Sequence, residues 1–444
     1  MKIIIAIIII TLVSSITGQH EVCTRDKGLK ICQKSATVIT RVTIDDYSAL
    51  DNGFLSMSFN NDTIIGPRVF NTEEVTRFLL QMPWTQERNK TALSTLTLHP
   101  DTFITSSNNF TIGIIRANVN VIGDSFKSMT QLTYLRFMYC GFTEVPITML
   151  QSTPNLTELS FEYNYISVIP ANAFASLKHL RELHLEGNGI TNLELGAFNG
   201  LNHLNALNVG GNHFTAVPGI FNGLNKLNRL DIDHAFRYNG FNIDILQDIP
   251  AVTNIRMGNI NITYLQPDMF DFVPRLTHLS LYGNAIISVP KGVFDKTKSL
   301  YLLHLAANKI GSIEPGAFSG LNMTILYLLD NMVNKTIETG TFSGLNVNEL
   351  NFERSSIIKL KPRAFEGLNA KEINLSRNKL MQIGPDDFFG LKTGELNLKN
   401  NYISSIAPNA FRNATVKTLR LTGNPISAGD QDKWGLSAST EILI

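Results

Sequence analysis

The sequence predicts an α/β solenoid, with a curved parallel sheet on its concave face and irregular loops with short helical turns on its convex face. A unit of 23–25 residues recurs thirteen times between Phe126 and Leu421, and each unit contains a short apolar doublet of the L-x-L type. Asn follows most doublets after three residues, and a large apolar residue marks the opposite side of each unit. These spine residues are Phe126, Leu150, Phe174, Phe198, Phe221, Leu246, Phe270, Phe294, Phe318, Phe342, Phe365, Phe388 and Phe411.

The doublets predict short strands, because residues two apart on a strand point to the same face. One unit cannot bury that face alone, whereas a stack of units covers it and pairs about 13–15 strands in parallel. A row of Asn side chains should then satisfy backbone groups of the turns. The row contains Asn164, Asn188, Asn212, Asn284, Asn308, Asn331, Asn378, Asn401 and Asn424. Ala235 and Ile260 interrupt it, which indicates either tolerated drift or a kink that contacts a ligand.

The ends of the chain carry weaker patterns than the repeats of residues 126–424. Residues 1–18 combine Lys2, an apolar run and small residues, which is typical of a cleaved secretory signal peptide. We expect an N-terminal cap over residues 19–50 and degenerate repeats over residues 51–125, with doublets at Met57-x-Phe59, Leu96-x-Leu98 and Ile112-x-Ile114. The alternative for residues 51–125 is a separate small domain with a short helix over Glu73 to Met82.

Cysteine and glycosylation patterns agree with a secreted chain. Of the three cysteines, Cys23 and Cys32 are predicted to form a disulfide at the first end of the stack, and Cys140 occupies an Asn position as a buried thiol. Nine Asn-x-Ser/Thr acceptors predict glycosylation. They are Asn61, Asn89, Asn109, Asn155, Asn261, Asn322, Asn334, Asn374 and Asn413.

Composition excludes several classes of function. The 38 basic and 37 acidic residues nearly cancel, so the chain offers no polybasic surface for nucleic acid or anionic lipid. No later segment is long and apolar enough to span a membrane. The chain contains no phosphate loop, nucleophile elbow or paired-cysteine metal motif, so we expect no catalytic residues, no cofactor and no metal site.

The residues that flank the doublets in the first half are the candidate ligand-binding patch. Neighbouring strands lie about 5 Å apart, so these acidic and aromatic side chains should form one surface between basic ends. Such a surface suits a protein ligand with basic and apolar groups, and the alternative is a solvated sheet face. The patch contains Tyr134, Arg136, Tyr139, Glu158, Glu162, Tyr163, Glu182, His184, Glu186, Arg229, Asp231, Asp233, His234 and Arg256.

The repeat of residues 180–204, with Leu180-x-x-Leu183-x-Leu185-x-x-Asn188 and Ala197-Phe198-Asn-Gly-Leu201, resembles the extracellular leucine-rich-repeat family of animal secreted and cell-surface proteins. This resemblance implies an α/β leucine-rich-repeat solenoid and a binding function. Gly423-Asn424-Pro425 resembles the start of the family's C-terminal cap, but the cysteines of that cap are absent. Residues 425–444 therefore resemble a degenerate or truncated cap, which would cover the last repeat only thinly.

The sequence thus predicts a secreted glycoprotein that binds another extracellular protein, in adhesion, recognition or an immune-type role. The layout is also similar to arthropod secreted repeat proteins that resemble the non-catalytic subunit of shrimp luciferin monooxygenase. That similarity implies the alternative of an accessory subunit of a secreted enzyme. A structural role in the extracellular matrix is the third interpretation, and the oligomeric state is not specified by the sequence.

Overall fold

A computed structural model describes most of the chain, including most residues of the regular repeats. The described residues are 7–9, 22–26, 29–35, 38–44, 54–58, 62–65, 70–71, 77–81, 93–99, 102–104, 110–121, 126–127, 129–236, 241–331, 336–427, 429 and 431–444. They form a solenoid of parallel strands with about 15 turns and few helices, which confirms the predicted fold class. The chain divides into two compact units, Met1–Thr215 with Gly219–Leu227 and Ala216–Pro218 with Asn228–Ile444.

The main sheet of the first unit is parallel, with one strand from each turn. Its order follows the chain, because each strand pairs with that of the next turn. The strands are Ile7–Ile9, Phe54–Ser58, Arg77–Gln81, Phe110–Ile115, Leu132–Met138, Glu158–Ser160, Glu182–His184 and Ala206–Asn208. The only α-helix of the described residues, Ile147–Gln151, lies on the opposite side of a turn.

A second sheet covers the other side of the early turns. Val22–Asp26 pairs antiparallel with Leu29–Ser35, and Leu29–Ser35 pairs antiparallel with Val38–Ile44. The strands are Val22–Asp26, Leu29–Ser35, Val38–Ile44, Thr63–Ile65, Phe70–Asn71, Thr95–Leu98, Phe103–Ile104 and Asn118–Val121. The first pairing places Cys23 directly opposite Cys32. Directly opposed residues have Cα atoms about 4.5–5.5 Å apart, which suits a disulfide, and the Cys23–Cys32 bond stays a prediction.

The alternative of a short helix over Glu73 to Met82 is wrong where the structure describes this segment. Arg77–Gln81 is a strand of the main sheet, between Phe54–Ser58 and Phe110–Ile115. Phe78 and Leu80 alternate with more exposed neighbours and are buried, so the period of this segment is two and not 3.6. Leu96-x-Leu98 was expected to form a strand of the main sheet, but it lies in the second sheet.

The second unit continues the same design with shorter connections. Its main sheet is parallel and again follows chain order. The strands are Arg229–Asp231, Asn254–Arg256, His278–Ser280, Leu302–His304, Asn322–Tyr327, Asn346–Asn351, Asn369–Asn374, Lys392–Asn397, Thr415–Arg420 and Glu441–Leu443. On the other side of the second unit, two-residue strands form three parallel pairs. They are Ser288–Val289 with Ser312–Ile313, Thr336–Ile337 with Lys359–Leu360, and Gln382–Ile383 with Ser405–Ile406. The first unit has one such pair, Val168–Ile169 with Asn192–Leu193. Short 3₁₀ helices lie at Ile243–Asp248 and Gln431–Lys433.

The Asn row satisfies backbone groups as predicted. The amide of Asn188 donates to the carbonyls of Phe161 and Leu185 at 2.8 and 2.9 Å, and its oxygen accepts from the amide of Ile166 at 3.2 Å. Cys140 occupies one position of the row, where its buried thiol donates to the Ile114 carbonyl at 3.1 Å. Each Asn thus links its own turn to the preceding one.

Stacked phenylalanine rings fill the other side of the coil. In the second unit the ring centroids of Phe270, Phe294, Phe318 and Phe342 follow one another at 6.0–6.2 Å. From Phe342 to Phe411 the centroid distances fall to 5.4, 5.2 and 5.0 Å. The repeat length falls from 24 to 23 residues over the same turns, because the connection on this side loses one residue. The aromatic spine of the sequence is therefore a continuous packed column within the second unit.

The last segment covers the final repeat more fully than expected. Trp434 is 2% exposed, and its carbonyl accepts from the amide of Phe411 at 2.9 Å. Glu441–Leu443 adds one further parallel strand to Thr415–Arg420. Residues 431–444 therefore cover the last turn without the cysteines that the related caps use.

Candidate functional site

Outward-facing side chains of the first unit lie in two rows across the main sheet. Tyr134, Glu158 and Glu182 are register partners on successive strands. The second row places Ser160 between Arg136 and His184. Because paired strands lie about 4.8 Å apart, the side chains within each row are direct neighbours. The structure therefore brings the acidic residues predicted for this unit together.

The acidic side chains of this unit surround His184. Its Nε2 atom lies 3.6 Å from Glu182 Oε2 and 3.9 Å from Glu158 Oε1. Burial, followed by the charge of Glu182, raises the pKa of Glu158. Arg136 forms an ion pair with Glu162, so this basic group neutralises one carboxylate and leaves the others as an acidic surface.

Two tyrosines extend this surface beyond the strands. The rings of Tyr139 and Tyr163 stack with centroids 4.8 Å apart, and the two residues are 36% and 42% exposed. Gly187 lies beside the stack with φ +68°, and a Cβ atom at this position would lie 2.5 Å from the Tyr163 ring. Only glycine fits this position, so the backbone of the next turn supports the aromatic pair.

The remaining members of the predicted patch lie in the second unit. There Arg256 forms ion pairs with Asp231 at 3.3 Å and Asp233 at 2.9 Å. Burial raises the pKa of Asp231. Arg229 and His234 are exposed beside these pairs. These five residues form a charge-compensated cluster, whereas the residues of the first unit keep an acidic excess.

An aromatic and histidine cluster of the second unit lies outside the predicted patch. The His304 ring lies 5.2 Å from Tyr282 and 5.4 Å from Tyr327, and His278 lies 5.5 Å from Tyr301. Burial lowers the pKa of His304. Outward positions of the doublets identify most of these residues, but only the three-dimensional stacking shows which rings meet. His278 and His304 lie on neighbouring strands, two positions out of register.

Groups that could hold a metal lie only in the first unit, among the described residues. One ligand atom from each of Glu158, Glu182 and His184 lies within 4.8 Å of the others, and Glu162, His184 and Glu186 form a second such group. Both groups use His184, so they overlap. The sequence predicted no metal site, whereas pairing of the strand of Glu158 with that of Glu182 and His184 brings these ligand atoms together.

The predicted glycosylation sites differ in accessibility. Asn155, Asn261, Asn322 and Asn413 are exposed, whereas Asn374 is half-buried in a strand and its side chain accepts from the Ser376 amide. Asn61, Asn89, Asn109 and Asn334 lie outside the described residues. Glycosylation at the exposed sites stays a prediction.

Comparison with known proteins identifies the class. The chain matches the family described as Leucine rich repeat over residues 130–190, 178–235 and 274–333, and the family described as BspA type Leucine rich repeat region (6 copies) over 311–431. Together these matches cover more than half of the chain, so it belongs to the leucine-rich repeat proteins. No curated protein sequence matches it.

Solved structures with the same fold come from several sources. In the Toll–Spatzle complex of Drosophila (glycosylated form), one chain is similar with TM-score 0.69 and 18% identity, over 97% of this chain and 66% of that chain. A leucine-rich repeat protein of Leptospira interrogans has TM-score 0.55 and 19% identity, over 76% and 90%. A TLR13–ssRNA13 complex has TM-score 0.53 and 15% identity, over 89% and 73%. At these identities the similarity shows the fold alone.

The arrangement is suited to binding. The fold is typical of non-catalytic binding proteins. No helix among the described residues has the length and apolar character that a membrane crossing requires. The acidic residues of the first unit are 13–35% exposed on a sheet face, which leaves water in contact with them.

Proposed function

We propose that the chain is a secreted glycoprotein that binds another extracellular protein through the outward face of its first unit. The observation that carries this proposal is the acidic and aromatic surface built from Glu158, Glu182 and Glu186 beside the Tyr139–Tyr163 stack. Stacked, half-exposed tyrosines offer rigid apolar contact area, and the carboxylates favour a basic partner. The nine predicted glycosylation acceptors support an extracellular location.

The charges of this face favour a protein partner over a nucleic acid. Among the similar structures, one is a complex of Toll with Spatzle and another a complex of TLR13 with single-stranded RNA. Binding to phosphate backbones relies on Lys and Arg contacts that release counterions. Here carboxylates outnumber the one ion-paired arginine, so the face repels phosphate.

Identification of the partner is the first experiment. The secreted chain is purified from its native fluid under mild conditions, and proteins that remain in near-equal amounts are identified by mass spectrometry. A receptor, matrix or microbial protein supports the proposal. A stoichiometric enzyme supports the accessory-subunit alternative, and a lone or self-associated chain supports the structural one.

A charge-reversal variant then tests the surface. Glu158, Glu182 and Glu186 are replaced by Lys, and partner affinity is measured by surface plasmon resonance. We expect at least a tenfold loss, about 1.4 kcal/mol, because charge reversal converts attraction into repulsion. The matched control replaces Glu349, Glu372 and Glu395, which form a similar row on the second unit. Equal loss in both variants, or none in the first, would refute the proposed surface.

A further inference from the structure

We infer that the first unit contains a binding site for a divalent transition-metal cation of the Zn²⁺ type, formed by Glu158, Glu182 and His184. These residues come from two successive strands, and one ligand atom from each lies within 4.8 Å of the other two. The protein-binding proposal does not require this metal site, and the metal site does not depend on that proposal.

The distances suit a small cation. Zinc binds imidazole nitrogen and carboxylate oxygen at about 2.0–2.2 Å, so tetrahedral ligand atoms lie about 3.3 Å apart. His184 Nε2 is 3.6 Å from Glu182 Oε2 and 3.9 Å from Glu158 Oε1. These two distances exceed the tetrahedral spacing by about 0.3 and 0.6 Å, and all three ligand atoms lie within 4.8 Å of one another, so binding requires rotation of these partly exposed side chains.

An unpaired buried hydroxyl points independently to a ligand here. Ser160 is 2% exposed, and its Oγ atom has no hydrogen-bond partner. Residues two apart on a strand share a face, so this hydroxyl lies on the same side as Glu158, and its register partner is His184. Buried polar groups normally find a partner. A cation with three protein ligands binds a water molecule in its remaining position, and that water is a hydrogen-bond partner for the Ser160 hydroxyl.

The charge around the site favours a cation. The carboxylates of Glu158, Glu162, Glu182 and Glu186 and the guanidinium of Arg136 leave three negative charges when His184 is neutral. Arg136 forms an ion pair with Glu162, which offsets the positive charge of Arg136 near the site.

The ligand set selects the type of metal. Imidazole suits Zn²⁺ and its first-row neighbours, whereas Ca²⁺ takes six to eight oxygen ligands and Mg²⁺ prefers octahedral oxygen. One nitrogen and two carboxylates therefore favour Zn²⁺.

The experiment is a titration of the full secreted chain, stripped with a chelator, with Zn²⁺ in an isothermal calorimeter near neutral pH. We expect a site of one equivalent, and its affinity should fall by at least about tenfold in the variants His184→Gln and Glu182→Gln, since even outer-shell changes cost about 10–100-fold. His304→Gln is the control, because that histidine stacks with tyrosines in the second unit. Circular dichroism checks that each variant folds.

Two further variants keep the test decisive. If His184→Gln does not fold, Glu158→Gln replaces it, since this side chain is one-third exposed. Ser160→Ala retains all three ligands and should weaken binding severalfold without abolishing it. The inference is overturned if the chain takes up no Zn²⁺ below about 1 mM, a free energy near −4 kcal/mol. It is also overturned if His184→Gln and His304→Gln bind Zn²⁺ equally. Visible absorption of bound Co²⁺, lost only in the first of these variants, gives an independent readout.

Discussion

Replacement of Asn378 by Ala tests the role of the Asn row most directly. The side chain is 2% exposed, and its amide donates to the carbonyls of Phe352 and Leu375 at 2.8 and 2.9 Å. Its oxygen accepts from the amides of Ser355 and Ile357 at 3.0 and 3.1 Å. The variant removes all of these bonds and leaves both amides buried without an acceptor.

The expected loss follows from the orphaned amides. A buried donor without a partner costs about 1–3 kcal/mol, so two amides at about 2 kcal/mol each give a decrease of about 4 kcal/mol in the free energy of unfolding. Because a solenoid unfolds through nearest-neighbour interactions, the decrease should concentrate in the turns on either side of Asn378.

Asn424→Ala is the matched control. Among the described residues its oxygen accepts from one amide, that of Ile403 at 3.0 Å, and the residue is half-buried at the last turn of the row. We therefore expect less than half of the effect.

Urea denaturation gives the global effect, and hydrogen exchange by mass spectrometry gives the local one. Exchange at Ser355 and Ile357 should accelerate in Asn378→Ala and not in Asn424→Ala. Equal destabilisation by the two variants, with unchanged exchange at these amides, would show that the row does not hold the turns together.

Three other properties follow from buried groups. Phe342→Ala should lower the free energy of unfolding by about 3–5 kcal/mol, because its ring is fully buried in the column, while Phe342→Leu should lower it less. Burial raises the pKa of Cys140 to about 12, so iodoacetamide at pH 8 should label it only after denaturant is added; labelling of the folded chain would contradict its burial. Burial raises the pKa of Asp387 from 3.8 to about 6, so the folded state retains its proton longer. The free energy of unfolding should therefore fall as pH rises from about 4 to 6, and Asp387→Asn should remove that dependence in urea denaturation curves.

Much of the fold could be predicted, because the residues that determine it recur at a fixed spacing within one or two turns. The L-x-L spacing determines which residues face the core. The Asn three residues later lies in the turn that follows the strand. Less regular segments were harder to interpret. Arg77–Gln81 falls in the segment for which a short helix was the alternative to degenerate repeats, and its strand identity depends on pairing with Phe54–Ser58 and Phe110–Ile115.

The candidate site shows the same division. From the sequence, Glu158, Glu182 and His184 are outward residues of adjacent repeats, because the period places equivalent positions side by side. The sequence does not show that Ser160 is buried without a hydrogen-bond partner. The ion pair that Arg136 forms with Glu162 is likewise invisible in it.

The sequence by itself determined the repeat, the inward apolar faces and the backbone-binding Asn row, because each depends on spacing within one or two turns. Only the tertiary structure decided how the outward side chains combine, since their rotamers and contacts depend on neighbours from other turns. It shows Glu158 and Glu182 beside His184 in the first unit, and Arg256 paired with Asp231 and Asp233 in the second. The physical reason is that burial in a periodic core strongly restricts the type of residue at inward positions. Electrostatic and stacking contacts among outward residues depend on side-chain conformations, which the repeat spacing does not determine.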